Sequence, residues 1–165
     1  MPKILSLLVR NHPGVLSHVA GLFTRRGYNI ESIAAGETAN PNITRITLVV
    51  GEDEAIIEQV SKQSRKLIDV IKVQELTYEG SITRELLLLT LFVPIHQRSA
   101  VIAITNTFGA TVVDISDKTM TIEISGNSLK INTTIKALGD YKIKELARTG
   151  LVALPLESML DHSVR

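Results

Sequence analysis

The residues best placed to do chemistry lie close to the start of the chain, in Asn11-His12-Pro13-Gly14-Val15-Leu16, where a helix is about to begin. The first turns of a helix leave several backbone N–H groups without intrahelical partners. Those of Gly14, Val15 and Leu16 should face out of the helix start. With the positive end of the helix dipole they form a seat for a carboxylate. Gly14 has no side chain, so a ligand can approach the backbone closely. Asn11 offers a donor and an acceptor beside it. A plainer reading stands next to this one, because Asn before a helix is more commonly a cap or turn residue than a ligand. Asn29, after Gly27-Tyr28, is likewise more often a loop residue bonding its own backbone. Tyr28 reads as core or interface.

Bond-making chemistry finds little support. There is no Cys among the 165 residues, which excludes disulfides, thiolate zinc sites and cysteine nucleophiles. His12, His18, His96 and His162 are scattered, and none pairs with Asp, Glu or another His at metal-ligand spacing, so metal binding is the minor reading. His12 and His18, read on one helix, fall on different sides of it. No nucleophile elbow, Walker loop or dinucleotide fingerprint occurs. Glu52 and Glu54 read as solvated acids at a helix start. The expectation is a chain that is not an enzyme and carries no cofactor of its own.

Charge narrows the partners. With 18 basic and 17 acidic residues the formal net charge is +1, so the basic face of a nucleic-acid binder is missing. The longest apolar runs, such as Leu86 to Leu89, are far too short to span a bilayer. No membrane, no nucleic acid and a cytoplasmic location are therefore expected.

The surrounding elements explain how the loop is held. Ile4 to Val9 is an apolar run that reads as a buried strand. Val15, Leu16, Val19, Ala20, Leu22 and Phe23 recur at helical spacing. Pro13 suits the first helical position, and Gly27 suits the helix end after Arg25-Arg26. Ile30 to Thr38 and Ile43 to Val50 read as strands around the turn Ala39 to Asn42. Glu52-Asp53-Glu54 opens a second helix with Ile56, Ile57, Val60 and Leu67 inward, and Ile68 to Tyr78 returns to strand. The order β-α-β-β-α-β predicts a four-stranded antiparallel sheet with two helices on one face. It then repeats: strand Glu85 to Val93, helix Arg98 to Phe108, a hairpin over Thr111 to Ile115 and Thr119 to Ile124, helix Leu129 to Leu138, and strand Lys142 to Arg148. The fold class is α+β, with two consecutive ferredoxin-like domains over 1–78 and 79–165. The tail from Leu151 has no firm assignment. RNA-recognition domains share this order but stack bases on strand aromatics. Ile4 to Val9 and Ile43 to Val50 contain no Phe, Tyr or Trp.

The runs Asn11 to Ser17, Gly21-Leu22-Phe23 and Arg26-Gly27-Tyr28-Asn29-Ile30-Glu31-Ser32 resemble the start of the acetolactate (acetohydroxyacid) synthase small subunit. Gly27 to Ser32 is specific to that family, whereas Gly14-Val15-Leu16 is shared by ACT domains generally. The resemblance continues at Lys66 to Val70, ends at Ala147-Arg148-Thr149-Gly150, and is strongest in the first half. It implies that 1–78 is an ACT domain that dimerises and binds an effector, typically valine, as a feedback inhibitor. The partner it implies is a separate catalytic large subunit holding thiamine diphosphate, Mg²⁺ and FAD, which this chain would activate. By position, Asn11, Gly14, Val15 and Leu16 would hold the ligand carboxylate and ammonium from one protomer. Asn29 and Ile30 would approach from the other, with Val15, Leu16 and Ile30 as an apolar wall. The alternative is a stand-alone ACT-type amino-acid-binding module acting on another partner.

Overall fold

A computed structural model describes residues 3–51 and 54–157. Glu52, Asp53 and His162, discussed above, lie outside the described residues. The chain divides into two compact units, one of Met1–Ile82 with Gly150–Arg165 and one of Thr83–Thr149. The boundary read from sequence, between 78 and 79, differs from this division. Leu76 and Tyr78 pack with Leu151 and Ala153, so the segment after Gly150 belongs with the first unit.

In the first unit the order is β1 (Lys3–Arg10), α1 (Val15–Arg26), β2 (Ile30–Glu37), β3 (Ile43–Val50), α2 (Glu54–Ser64) and β4 (Val70–Leu76). The sheet order is β2-β3-β1-β4, with every neighbouring pair antiparallel. β1 is interior, and Ile4, Leu5, Leu7 and Val9 are fully buried. A strand covered on both faces reads as a near-continuous apolar run, and here Ile4-Leu5 and Leu7-Leu8-Val9 are interrupted only by the buried Ser6. Leu5, Leu7 and Val9 meet Ile46, Leu48 and Val50, and both helices close over them through Val15, Val19, Leu22, Phe23, Ile57 and Val60.

The helix ends follow from local chemistry. Gly27 takes a left-handed φ of 68°, and the N–H of Tyr28 returns to the Phe23 carbonyl at 3.1 Å. This is the glycine-closed helix end, with Arg25 and Arg26 placed to complement the dipole. The other end departs from expectation. Pro13 is not the first helical residue, because Gly14 caps α1 in the left-handed region at φ 89° and the helix begins at Val15. α2 stops at Ser64, which leaves Leu67 beyond it and Ile68 86% exposed. The hydroxyls of Ser61 and Ser64 are buried and find no hydrogen-bond partner among the described residues. A buried unpaired hydroxyl costs its desolvation. Ser64→Ala is therefore expected to raise stability by about 1 kcal/mol in urea denaturation.

The second unit repeats the plan with β5 (Ser81–Phe92, its first two residues belonging to the first unit), α3 (Arg98–Thr107), β6 (Thr111–Ile115), β7 (Thr119–Gly126), α4 (Ser128–Ala137) and β8 (Ile143–Arg148). Its sheet order is β6-β7-β5-β8. Leu87, Leu89 and Leu91 of β5 face Met120, Ile122 and Ile124 of β7 and, from the helices, Val101 and Ile131. Asn127 caps α4 by accepting the Lys130 N–H at 2.9 Å. Glu85, though buried, is satisfied by Ser128 and Arg148. Both units are thus ferredoxin-like and α+β.

The chain ends the described region in β9 (Val152–Pro155). Leu151 and Ala153 are buried against Ile4, Val49 and Leu76, on the side of the first sheet away from its helices. The Leu151 N–H donates to the Ser32 hydroxyl at 2.8 Å. No helix among the described residues is long and apolar enough to cross a membrane.

Candidate functional site

The loop between β1 and α1 is built by three constraints. The Asn11 N–H bonds the Asn42 carbonyl at 2.8 Å, which ties the end of β1 to the β2–β3 turn. The Asn11 side-chain amide donates to the Pro41 carbonyl at 2.9 Å and reaches Glu37 Oε1 at 3.5 Å. The left-handed Gly14 then turns the chain into α1, and a Cβ placed there would meet nothing within 4 Å. The ground above Gly14 is open.

Of the amides expected to face out, Val15 N–H is engaged by the His12 carbonyl at 3.3 Å. Those of Gly14 and Leu16, and that of Ser17, which the sequence did not single out, have no acceptor among the described residues. Three free donors at the positive end of a helix suit a carboxylate. Leu16 is 45% exposed beside them. Val15 does not join it as an apolar wall. Its side chain is only 7% exposed and packs in the core, since one side chain cannot both complete the helix stripe and face a ligand.

Asn29 and Ile30 are not brought to this loop within one chain. Ile30 pairs with Val50, and Val50 with Lys3, whereas the loop follows Arg10, which pairs with Ile43. The two groups sit at opposite ends of an 8-residue strand, roughly 23 Å apart at the usual rise per residue. Asn29 is exposed, and Ile30 is half-buried at a bulge where Glu31 is skipped in the β2–β3 register.

The sequence reading missed a charged cluster under the loop. Asp69, 7% exposed, receives His12 Nε2 on Oδ1 at 2.6 Å and His18 Nδ1 on Oδ2 at 3.0 Å. His12 Nδ1 faces the Pro13 carbonyl at 2.9 Å. The hydrogen bond to Asp69, then that to Pro13, raises the His12 pKa above its ordinary value. The same bonds from His12 and His18 hold the Asp69 carboxyl below its usual range. The set does not form a group that could hold a metal ion.

Residues 5–72 match the family model of the AHAS small subunit-like ACT domain, and residues 84–157 match that of the small subunit of acetolactate synthase. The chain is 43% identical over 150 residues to the acetolactate synthase small subunit of Mycobacterium bovis, covering 91% of this chain and 89% of that one. It belongs to the acetolactate synthase small-subunit family. A protein of Methanothermobacter thermautotrophicus, "Probable acetolactate synthase small subunit", is 46% identical over 152 residues, with 92% and 90% of the two chains covered. The crystal structure of the acetolactate synthase small subunit from Thermotoga maritima superposes with a TM-score of 0.88 at 35% identity, covering 94% of this chain and 98% of that one.

As a member of the acetolactate synthase small-subunit family, the chain has its ACT domain in the first unit, and the open loop at Gly14 lies within it. The His12–Asp69–His18 cluster was hidden for a local reason. His12 precedes α1, so helical spacing does not relate it to His18. A usable signal was the β1–β4 pairing, which sets Val9 opposite Val70 and brings Asp69 beside the loop.

Proposed function

We propose that this chain is a regulatory, non-catalytic subunit that binds valine at the β1–α1 loop. In doing so it controls a separate acetolactate synthase large subunit, which it also activates. The carrying observation is the set of free amides at Gly14, Leu16 and Ser17 beside an exposed Leu16. The amides fit the carboxylate of an amino acid, Leu16 fits its isopropyl group, and the Asn11 carbonyl oxygen fits its ammonium. Val15 contributes backbone only.

The second wall of the site comes from a second copy in this reading. β2 is an edge strand. Two copies paired antiparallel along β2 would set Ile30 of one against the Glu37 end of the other. Glu37 is the residue Asn11 reaches in its own chain. A homodimer of that kind places Asn29 and Ile30 beside the open loop, which no single chain can do. An effector shared between protomers changes the equilibrium between two arrangements by its differential affinity. Thiamine diphosphate, Mg²⁺ and FAD belong on the large subunit in this scheme.

Reconstitution tests it. Acetolactate formation by a matching large subunit should rise when this chain is added and fall again across a valine series. Asn29→His should raise the half-inhibiting valine concentration by about tenfold, the scale of one lost polar contact. Acetolactate made by this chain alone, or a large subunit indifferent to it, would contradict the proposal.

A further inference from the structure

We propose that His12, closing with His18 on the two oxygens of Asp69, is a proton-dependent clasp that fixes the opening turn of α1 and so makes effector binding there depend on pH. The effector half of this inference rests on the valine reading above; the clasp itself does not.

The geometry of His12 carries the argument. Both of its ring nitrogens face acceptors, Nε2 the Asp69 carboxylate at 2.6 Å and Nδ1 the Pro13 carbonyl at 2.9 Å. A neutral imidazole has one N–H and can satisfy only one of them, whereas the imidazolium satisfies both. The His12 carbonyl in turn accepts the Val15 N–H. The ring is therefore tied to the residues on either side of Gly14, and through Asp69 to the segment entering β4. The Asp69 carbonyl accepts the Arg10 N–H at 2.9 Å, closing the base of the loop.

The charged groups around His12 are Asp69, which favours its protonation, and Arg10 on β1, which opposes it. His18 of α1 occupies the second Asp69 oxygen and adds to the donors that keep the carboxylate ionised. His12 has a raised folded pKa, so its contribution is fully present below the unfolded histidine value of about 6.5 and is lost as pH rises through the folded value. Asp69 has a lowered one, so its contribution is present above the ordinary carboxylate range and is lost as pH falls through its folded value. The clasp is closed between these two limits and opens on the alkaline side when His12 gives up its Nδ1 proton. The turn that this step holds or releases, through the Val15 N–H on the His12 carbonyl, carries the free Gly14, Leu16 and Ser17 amides that seat the effector carboxylate.

Histidine NMR titration of the full chain tests the clasp without any ligand. His12 should titrate above the ordinary histidine value, and Asp69→Asn should bring it down. Amide exchange at Arg10 and Val15, whose N–H groups the clasp segments hold, corrected for intrinsic rates, should accelerate as pH rises through the His12 transition. It should be fast at all pH values in His12→Gln, which serves also if Asp69→Asn folds poorly. Calorimetric valine affinity should fall by at least ~5-fold between pH 6.5 and 8.5, the lower range of an allosteric coupling, and His12→Gln should abolish that dependence. A His12 that titrates at the ordinary value in both wild type and Asp69→Asn would overturn the clasp. A displaced His12 with equal valine affinity at both pH values would overturn its role in binding. Absence of valine binding at either pH, with His12 displaced as expected, would sink the effector reading and leave the clasp supported.

Discussion

Gly14→Asp is expected to leave the subunit folded and to remove its response to valine, raising the half-inhibiting concentration at least ~100-fold, or about 3 kcal/mol. The reasoning starts from the backbone. Gly14 sits at φ 89°, where a Cβ costs roughly 1–2 kcal/mol. That strain is bearable because a Cβ there meets nothing within 4 Å. The added carboxylate then stands over the amides of Leu16 and Ser17. It fills the seat with the same charge as the ligand, and like charges in one site are strongly disfavoured. Gly14→Asn separates the causes. Asn has nearly the same size, tolerates the left-handed region, and carries no charge. Calorimetry and valine inhibition of the reconstituted enzyme should rank wild type above Gly14→Asn and Gly14→Asn above Gly14→Asp. Equal losses in the two variants would assign the effect to occlusion. An unchanged Gly14→Asp would place the seat elsewhere.

What could be read from the sequence, and what could not, divides by range. Val15, Val19, Leu22 and Phe23 form a stripe at helical spacing, and all four are buried where that spacing put them. Gly27 ends α1 as glycine chemistry requires. The element order of both units followed from such local signals. The start of α1 did not, because Pro13 and Gly14 offer competing openings, and the left-handed glycine prevails. The dual use read into Val15 failed because periodicity shows which face a residue is on, not that the face is already full. His12 and His18 reach Asp69 across sequence separations of 57 and 51 residues, a contact fixed only by which strands are neighbours. β9 escaped for a different reason. Leu151 and Ala153 are buried while Val152 and Leu154 are each 53% exposed, yet all four are apolar, so the two-residue period leaves no mark in the sequence.

That last segment supports the largest expected stability loss. Gly150→Ala should destabilise the chain by about 3 kcal/mol, from overpacking and lost burial together. A unit of the size of the first one would then melt roughly 12–24 °C lower. A Cβ at Gly150 would fall 1.9 Å from the Ile33 carbonyl oxygen and 2.9 Å from the Ala34 nitrogen. Both are main-chain atoms of β2 held in register with β3, so neither can swing aside as a side-chain tip would. The segment must lift instead. Lifting it breaks the Leu151 N–H bond to Ser32 and uncovers Ile4, Val49 and Leu76 together with Leu151 itself. Leu151→Ala, which removes burial without a clash, should cost about 2–3 kcal/mol while keeping the segment docked. Limited proteolysis distinguishes the two, with cleavage after residue 149 accelerated in Gly150→Ala and little changed in Leu151→Ala. A Gly150→Ala protein within 0.5 kcal/mol of wild type would mean that β2 yields at Ile33. It would follow that this glycine, the last residue of the run that resembles the family, is not there to let two backbones touch.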